Sequence, residues 1–201
     1  MLFVITGPSG CGKTTLIRRI LKEVKNTTFS VSHTTRKMRK GEKEGKDYYF
    51  VSRSEFQQMI RENKFIEWAV VHGNYYGTSK SELKKRCGSD DLIFDIDVQG
   101  ARQMKEKLKK AVFIFILPPM FEELRRRLKK RGEESEEAIE KRMEVAKKEI
   151  SHYPNFDFIV INDQLERAVE ELKSIIICMR CQIEARKKEI IPILQSFSRG
   201  D

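Results

Sequence analysis

The hydrophobic residues of this chain fall into four short runs without polar alternation, at residues 2–5, 92–96, 112–117 and 158–161. Continuous apolar runs of this length are typical of strands buried on both faces, as in a parallel sheet. Between the runs, apolar positions recur at helical spacing over residues 16–24 and 165–179. The alternation of strand and helix predicts an α/β doubly wound fold, with a parallel sheet sandwiched by helices.

Residues 32–87 do not follow this alternation. They contain two strand-like segments, at 48–51 and 65–71, around a helical pattern at 54–62. Glycines mark the turns between these segments, at Gly41, Gly45, Gly73 and Gly77. We therefore predict a small α+β subdomain that is inserted into the sheet domain at residues 32–87.

A second exception is residues 120–150, which are largely charged and follow a helical pattern. Gly132 suits the end of one helix, and Ser135 can cap the start of the next. Helices held together by so few apolar residues are candidates for a mobile lid. The remaining segments then form the core of a single domain, at residues 1–31, 88–119 and 151–201.

A glycine-rich motif follows the first predicted strand and opens the first predicted helix. Residues 7–14 match the pattern GxxxxGK[ST], which binds the phosphates of ATP or GTP. In such a loop the backbone N–H groups converge on the phosphates, Lys13 reaches the β and γ oxygens, and Thr14 ligates Mg²⁺. The motif predicts Mg²⁺ as cofactor and an ATP site made by Gly7, Pro8, Ser9, Gly10, Cys11, Gly12, Lys13, Thr14 and Thr15.

The net charge of +10 fits a nucleic-acid binder and fits equally an enzyme with two polyanionic substrates. Basic residues are interleaved with acidic ones, as in residues 105–110, which is typical of a solvated helix face. A single-stranded nucleic-acid binder would need exposed aromatic residues among the basic ones, and no such motif is evident. We therefore expect no nucleic-acid partner.

Cysteine usage and the first residues bear on the compartment. Cys178 and Cys181 are three apart, but a lone CxxC without a second pair seldom binds zinc. We interpret them as reduced structural thiols. The apolar run at residues 2–5 has no basic leader before it, and no run is long enough to span a bilayer. These features predict a cytoplasmic protein that has no membrane partner.

Further motifs resemble those of guanylate kinases, which are P-loop nucleoside monophosphate kinases. They extend over nearly the whole chain, as residues 32–42, 45–50, 65–69, 73–78, 95–100 and 161–163 with Arg131 and Arg142. The resemblance implies an enzyme that transfers the γ-phosphoryl of ATP to GMP, giving ADP and GDP for GMP recycling and guanine nucleotide synthesis. It also implies dGMP as a further acceptor.

The resemblance assigns a GMP site within the inserted subdomain. Ser32, Arg36 and Arg39 correspond to the ligands of the GMP phosphate, and guanidinium groups bind phosphate bidentately while staying charged. Tyr48 and Tyr76 correspond to hydroxyl donors for the same phosphate, although packing alone would also explain them. The residues that correspond to the guanosine site are Glu67, Thr78, Asp97 and Gln99.

The same resemblance implies catalytic groups and the remainder of the ATP site. Arg131 and Arg142 correspond to the lid arginines, which act with Lys13, Arg36 and Arg39 on the transferred phosphoryl group. Asn162 and Asp163 correspond to the site of the ATP base. We further expect Asp95 to be a partner of Mg²⁺ through water. The run at residues 125–127 is expected to be solvated and receives no role.

The residues leave some alternatives open. A guanylate-kinase-like scaffold domain would keep the fold without catalysis, but such domains typically lack parts of the nucleotide site that this chain retains. His33 could donate to phosphate or simply pack. Residues 187–201 could dock as packing or as an oligomer contact. The oligomeric state is undetermined.

Overall fold

The computed structural model describes residues 1–86, 90–130 and 135–198, without the side chains of residues 85 and 86. Its elements in chain order are β1 (Leu2–Thr6), α1 (Lys13–Glu23), β2 (Thr27–Phe29), β3 (Ser32–Thr34), β4 (Tyr48–Phe50), α2 (Arg53–Arg61), β5 (Phe65–Val71), β6 (Asn74–Ser79), α3 (Lys80–Arg86), β7 (Asp91–Asp95), α4 (Val98–Lys107), β8 (Val112–Leu117), α5 (Phe121–Lys129), α6 (Glu136–Ile150), β9 (Phe158–Ile161), α7 (Leu165–Arg180) and α8 (Ile183–Phe197). A 3-10 turn at Tyr153–Asn155 precedes β9.

The main sheet has five parallel strands in the order β2-β7-β1-β8-β9. Side chains alternate across it, so Phe3 and Ile5 of β1 pack with α1 and α7, while Val4 packs with α4 on the other face. All four apolar runs lie in this sheet, which confirms the predicted α/β fold. The short strand β2 was not predicted, because its three residues combine two threonines with one phenylalanine.

A second sheet, with the order β4-β3-β6-β5, contains the strands between residues 32 and 79. The predicted helix α2 lies beside it, with Ser52 as N-cap and Phe56 buried. Strands β5 and β6 form a hairpin closed by His72 (φ 48°) and Gly73 (φ 78°), as a type I′ turn requires. The sequence predicted β4 and β5, whereas β3, β6 and α3 were missed because their apolar and polar residues follow neither period clearly.

Helices α5 and α6 form the arm that the sequence predicts as a lid. The Ser135 hydroxyl accepts a hydrogen bond from the Ala138 N–H (3.3 Å), which confirms the predicted cap. The two helices enclose a buried apolar cluster of their own, made by Leu124, Leu128, Ile139, Met143 and Ala146. Arg131 and Gly132, which the sequence analysis singled out, lie outside the described residues.

Among the described residues, none of the helices has both the length and the apolar character that crossing a membrane requires. Helix α8 follows α7 at the end of the chain and has no buried residue. Cys178 and Cys181 are exposed free thiols near the end of α7.

Candidate active site

The loop between β1 and α1 can form only with glycine at specific positions. Gly12 has φ 99°, and a Cβ there would lie 2.2 Å from the Asn162 amide nitrogen. A Cβ at Gly7 would lie 2.3 Å from the carbonyl oxygen of Ile116. Any side chain at either position would displace the loop from the sheet edge. The glycines therefore let the loop lie against the carboxyl ends of β8 and β9.

Lys13 and Asp95 face each other beside this loop. The Lys13 ammonium donates to the carbonyl oxygen of Gly7 (2.7 Å) and lies 3.9 Å from the Asp95 carboxylate. Burial raises the pKa of Asp95, and the nearby charge of Lys13 lowers it. Burial likewise raises the pKa of the Cys11 thiol, which packs beneath the loop. The site thus pairs a positive group with an acidic one at the carboxyl edge of the sheet.

Asn162 binds the backbone of the P-loop and does not line the cleft. Its buried amide donates to the carbonyl oxygen of Cys11 at 2.7 Å. Asp163 points elsewhere, since its carboxylate accepts from the Gln164 N–H (2.6 Å) and lies 3.4 Å from Arg167. Of this predicted pair, only Asn162 contacts the loop in this structure.

A single cleft of about 1090 Å³ connects the P-loop to the second sheet. Predicted site residues that line it are Gly7, Ser9, Gly10, Gly12, Lys13, Thr14, Thr15, Ser32, Arg36, Arg39, Tyr48, Glu67, Tyr76, Asp95, Asp97 and Arg142. Predicted site residues that are described but do not line it are Pro8, Cys11, Thr78, Gln99, Asn162 and Asp163. The structure therefore brings most of the predicted site together, and Arg131 lies outside the described residues.

Glu67 is a carboxylate at the buried end of the cleft, with only 3% of its surface exposed. One of its oxygens accepts the backbone N–H of Thr78 (2.7 Å), and the other lies where a Cβ on Gly100 would approach to 2.4 Å. Burial raises the pKa of Glu67 to about 7, although the Thr78 hydrogen bonds lower it. A buried acceptor of this kind needs donors from a ligand to offset its desolvation.

Thr78 lies next to Glu67, and its hydroxyl oxygen is 3.3 Å from that of Ser32. Ser32 lines the cleft, whereas Thr78 is fully buried behind it. Asp97 caps α4 by accepting the Gly100 N–H (2.9 Å). Gln99 is exposed and donates to the Asp97 carboxylate (3.0 Å). It therefore contacts a residue that lines the cleft without lining the cleft itself.

Basic and hydroxyl groups also line the part of the cleft that the second sheet and its loops form. Arg36 forms a bidentate pair with Glu42 (2.7 and 3.0 Å), and its guanidinium carbon lies 5.4 Å from the centre of the Tyr48 ring. Arg39 is exposed at the rim. The Tyr48 and Tyr76 rings are 5.9 Å apart, and burial raises the pKa of Tyr48.

Glu42 is a cleft residue that the sequence analysis missed. It accepts from the Arg36 guanidinium and from the Arg39 backbone N–H (2.8 Å), so it orients the segment that carries both arginines. Burial raises its pKa, but the hydrogen bonds from Arg36 and from the Arg39 backbone, together with the charges of both arginines, lower the pKa overall. Its position as the only acidic residue in residues 36–43 was the signal available in the sequence.

Arg127 corrects an expectation, because the sequence analysis left residues 125–127 as solvated and without a role. The Arg127 guanidinium donates to the carbonyl oxygens of Asn162 (2.9 Å) and Cys11 (3.3 Å) and is held by Glu123 (2.7 Å). Arg126, by contrast, is mostly exposed and pairs only with Glu123 among the contacts described. Helix α5 therefore contacts the P-loop directly through Arg127.

Helix α6 contributes Arg142 and Glu149 to the wall of the cleft. Burial raises the pKa of Glu149 to about 7, while Lys13 and the Ser9 amide lower it and Asp97 raises it. The sequence analysis did not single out Glu149, which is one of many acidic residues on its helix. The arm thus places Arg142 in the wall of the cleft and Glu149 beside the P-loop.

A P-loop that opens a helix, an acidic residue on the neighbouring strand and basic groups from the second-sheet segment and from the α5–α6 arm around one cleft define a P-loop phosphotransferase. The family model described as guanylate kinase matches residues 1–178. The chain belongs to the guanylate kinase family. Helix α8 lies beyond the matched residues.

Individual relatives agree with this assignment. The chain is 51% identical to the guanylate kinase of Geobacter metallireducens over 183 residues, which cover 90% of each protein. It is 47% identical to that of Caldanaerobacter subterraneus over 93% of this chain and 91% of the relative. The crystal structure of guanylate kinase from Anaplasma phagocytophilum superposes with a TM-score of 0.74 and 35% identity, covering 90% of this chain and 86% of that one.

Proposed function

We propose that the protein transfers the γ-phosphoryl group of ATP to GMP in this cleft, giving ADP and GDP. The observation that carries the proposal is that one cleft is lined both by the P-loop with Lys13 and by Glu67, Arg36 and Arg39. The first set suits a nucleoside triphosphate, and the second suits a purine monophosphate. Their placement in one space allows the donor and acceptor phosphates to meet in line.

Glu67 reads the guanine base. Guanine presents donors at N1 and at its exocyclic amine, and a buried carboxylate is their natural acceptor. Thr78 adds a hydroxyl beside Glu67, and Asp97 closes the nucleoside side. Adenine would leave the Glu67 carboxylate without donors from the base, which costs several kcal/mol and discriminates strongly against AMP.

The phosphate of GMP lies at the arginine end of the cleft. Ser32, Arg36 and Arg39 bind it, and the Tyr48 and Tyr76 hydroxyls donate to it. Binding requires Arg36 to exchange at least part of its pairing with Glu42 for the phosphate. A second dianion has the charge and the bidentate geometry to compete with that carboxylate.

ATP binds with its phosphates in the P-loop, where Lys13 reaches the β and γ oxygens. The donors present fit Mg²⁺, because Thr14 and Asp95 offer a hydroxyl and a carboxylate on the same cleft and Mg²⁺ prefers oxygen ligands. When bound, Mg²⁺ neutralises charge on the phosphates. Asn162 and Arg127 hold the loop, and the ATP base lies near the end of β9.

Catalysis consists of positioning and charge neutralisation by this chain's basic groups. Lys13, Arg36, Arg39 and Arg142 surround the path of the transferred group, and Arg131 acts with them. Closure of the α5–α6 arm and of the second-sheet segment over the substrates excludes water and so prevents wasteful hydrolysis of ATP. We place the enzyme in the cytoplasm, with ATP, GMP and dGMP as its partners.

A nucleotide panel tests this function. Consumption of ATP by the purified protein is expected to depend on GMP, with dGMP as a weaker acceptor, and to need Mg²⁺. AMP, UMP and RNA should give only the background rate. Equal turnover with AMP, or ATP consumption stimulated by RNA, would contradict the proposal.

A further inference from the structure

Strand β5, which carries Glu67, lies at an edge of its sheet, since β6 is its only partner among the strands that the structure describes. Side chains of α4 bind that edge. The Gln103 side chain accepts the Trp68 N–H (3.2 Å) and donates to the Trp68 carbonyl oxygen (2.7 Å). The Lys107 ammonium donates to the carbonyl oxygen of Ile66. The residues on both sides of Glu67 are therefore held by one helix of the main domain.

The pairing between β5 and β6 is irregular at this point. The register shifts between Phe65 and Glu67, which indicates a β-bulge. A bulge interrupts the ladder and changes the direction of the neighbouring side chain. The ladder alone therefore fixes Glu67 less firmly than a regular strand would. Gln103 provides additional hydrogen bonds that fix the strand beside Glu67, because it supplies one donor and one acceptor to a single residue as a neighbouring strand does.

The same helix also limits where the Glu67 carboxylate can lie. Gly100 is in the first turn of α4, and a Cβ on it would come within 2.4 Å of a Glu67 oxygen and 3.3 Å of an Asp97 oxygen. The carboxylate thus rests against the bare backbone of α4. A displacement of α4 relative to β5 would change the position of both Glu67 oxygens.

We propose that Gln103 and Gly100 are positioning residues for base recognition, with α4 as the support that sets the Glu67 carboxylate against guanine. This inference rests on the proposed role of Glu67 in the GMP site. A carboxylate that receives two donors from one base must meet both at hydrogen-bonding distance, so a shift of about 1 Å loses discrimination rather than binding as a whole. Neither residue lines the cleft itself.

The test compares GMP with IMP, whose base has the N1 donor but lacks the exocyclic amine. Gln103→Met keeps the side chain's length and removes both hydrogen bonds to Trp68. We expect kcat/KM for GMP to fall about tenfold and that for IMP to fall much less, with KM for ATP unchanged. Gly100→Ala adds a Cβ against Glu67 and should lower the same GMP-to-IMP ratio.

Gln58→Met is the matched control, because Gln58 is an exposed glutamine whose amide bonds to Glu62 on the surface of α2. It should leave the ratio unchanged. Melting temperatures of all variants show whether they fold. If Gln103→Met does not fold, Gln103→Glu replaces it, because glutamate keeps the acceptor for the Trp68 N–H and loses the donor. The GMP-to-IMP ratio of kcat/KM for Gln103→Glu and Gly100→Ala then tests the positioning role.

Glu67→Gln separates this inference from the function on which it rests. If Glu67→Gln leaves the GMP-to-IMP ratio at the wild-type value, the proposed role of Glu67 fails. If Glu67→Gln lowers the ratio but folded Gln103 and Gly100 variants keep it, only the positioning role is overturned. An equal loss for GMP and IMP in those variants also overturns it, because that would be a general structural effect.

Discussion

At the scale of single residues, the site depends on charges that are buried before any ligand arrives. Glu67, Asp95 and Glu149 all have raised pKa values, and burial is the largest cause for each. Groups of this kind cost stability in the free protein and gain partners when a substrate binds. The buried acidic groups of the cleft therefore favour ligand binding and lower the stability of the protein without ligand.

Glu67→Gln should make this cost measurable. The folded state raises the pKa of Glu67 from 4.5 to about 7, so it binds this proton more tightly than the unfolded chain does. The wild-type free energy of unfolding therefore falls as the pH rises from 4.5 to 7, by at most about 3 kcal/mol from this group. Glutamine cannot ionise, so the variant should gain stability relative to wild type over that range.

Denaturant unfolding at pH 5 and pH 8 checks this expectation. The stability difference between Glu67→Gln and wild type should favour the variant more at pH 8 than at pH 5. Glu106→Gln, on the exposed face of α4, is the control and should show a much smaller change. A difference for Glu67→Gln that is the same at both pH values would mean that the carboxyl is not destabilised by burial.

Residue-level prediction from the sequence succeeded where a motif carried its own mechanism. The P-loop glycines and the Ser135 cap each follow from local chemistry, and the structure has the glycine loop and the cap where the sequence predicts them. The contact of Lys13 with phosphate stays a prediction. Glu67 was identified only through the family resemblance, because a single acidic residue within an apolar strand has no local signal for base recognition. Gln103 was not found at all, since its partner Trp68 is 35 residues away.

At the scale of elements, long apolar runs and amphipathic helices were predicted and short mixed segments were not. Strands β7, β8 and β9 consist mainly of apolar residues that the sheet buries, so their pattern indicates their structure. Strand β3 has three residues, with Ser32 and Thr34 buried as polar groups. Tertiary contacts, not local pattern, make it a strand.

Among the contacts between elements, we expect the contact of Arg127 to have the clearest functional consequence, because it connects α5 to the P-loop. Arg127→Met removes the hydrogen bonds to the carbonyl oxygens of Cys11 and Asn162. A hydrogen bond from a charged donor is worth about 1.5–3 kcal/mol, so we expect KM for ATP to rise at least about tenfold. KM for GMP should change little, because Arg127 does not contact the second sheet among the described contacts.

Arg126→Met is the matched control, since it removes a neighbouring arginine that is 68% exposed and pairs with the same Glu123. Steady-state kinetics with ATP varied at saturating GMP measure both variants. Equal effects of the two substitutions would show that the contact between Arg127 and the P-loop does not hold the ATP site.

At the scale of the whole molecule, the two sheets and the helical arm meet at one cleft. The main sheet supplies the P-loop and Asp95, the second sheet supplies Glu67 and Tyr76, and α6 supplies Arg142. The order of these segments along the chain follows from the sequence, whereas their convergence depends on contacts between distant residues. The family relationship, not the hydrophobic pattern, made that convergence predictable.

The most direct measurement of the central claim is a crystal structure of the protein with GMP bound. The account predicts the guanine N1 and exocyclic amine within hydrogen-bonding distance of Glu67, and the phosphate of the same molecule between Arg36, Arg39, Tyr48 and Tyr76. A base turned away from Glu67, or a phosphate bound apart from both arginines, would contradict it.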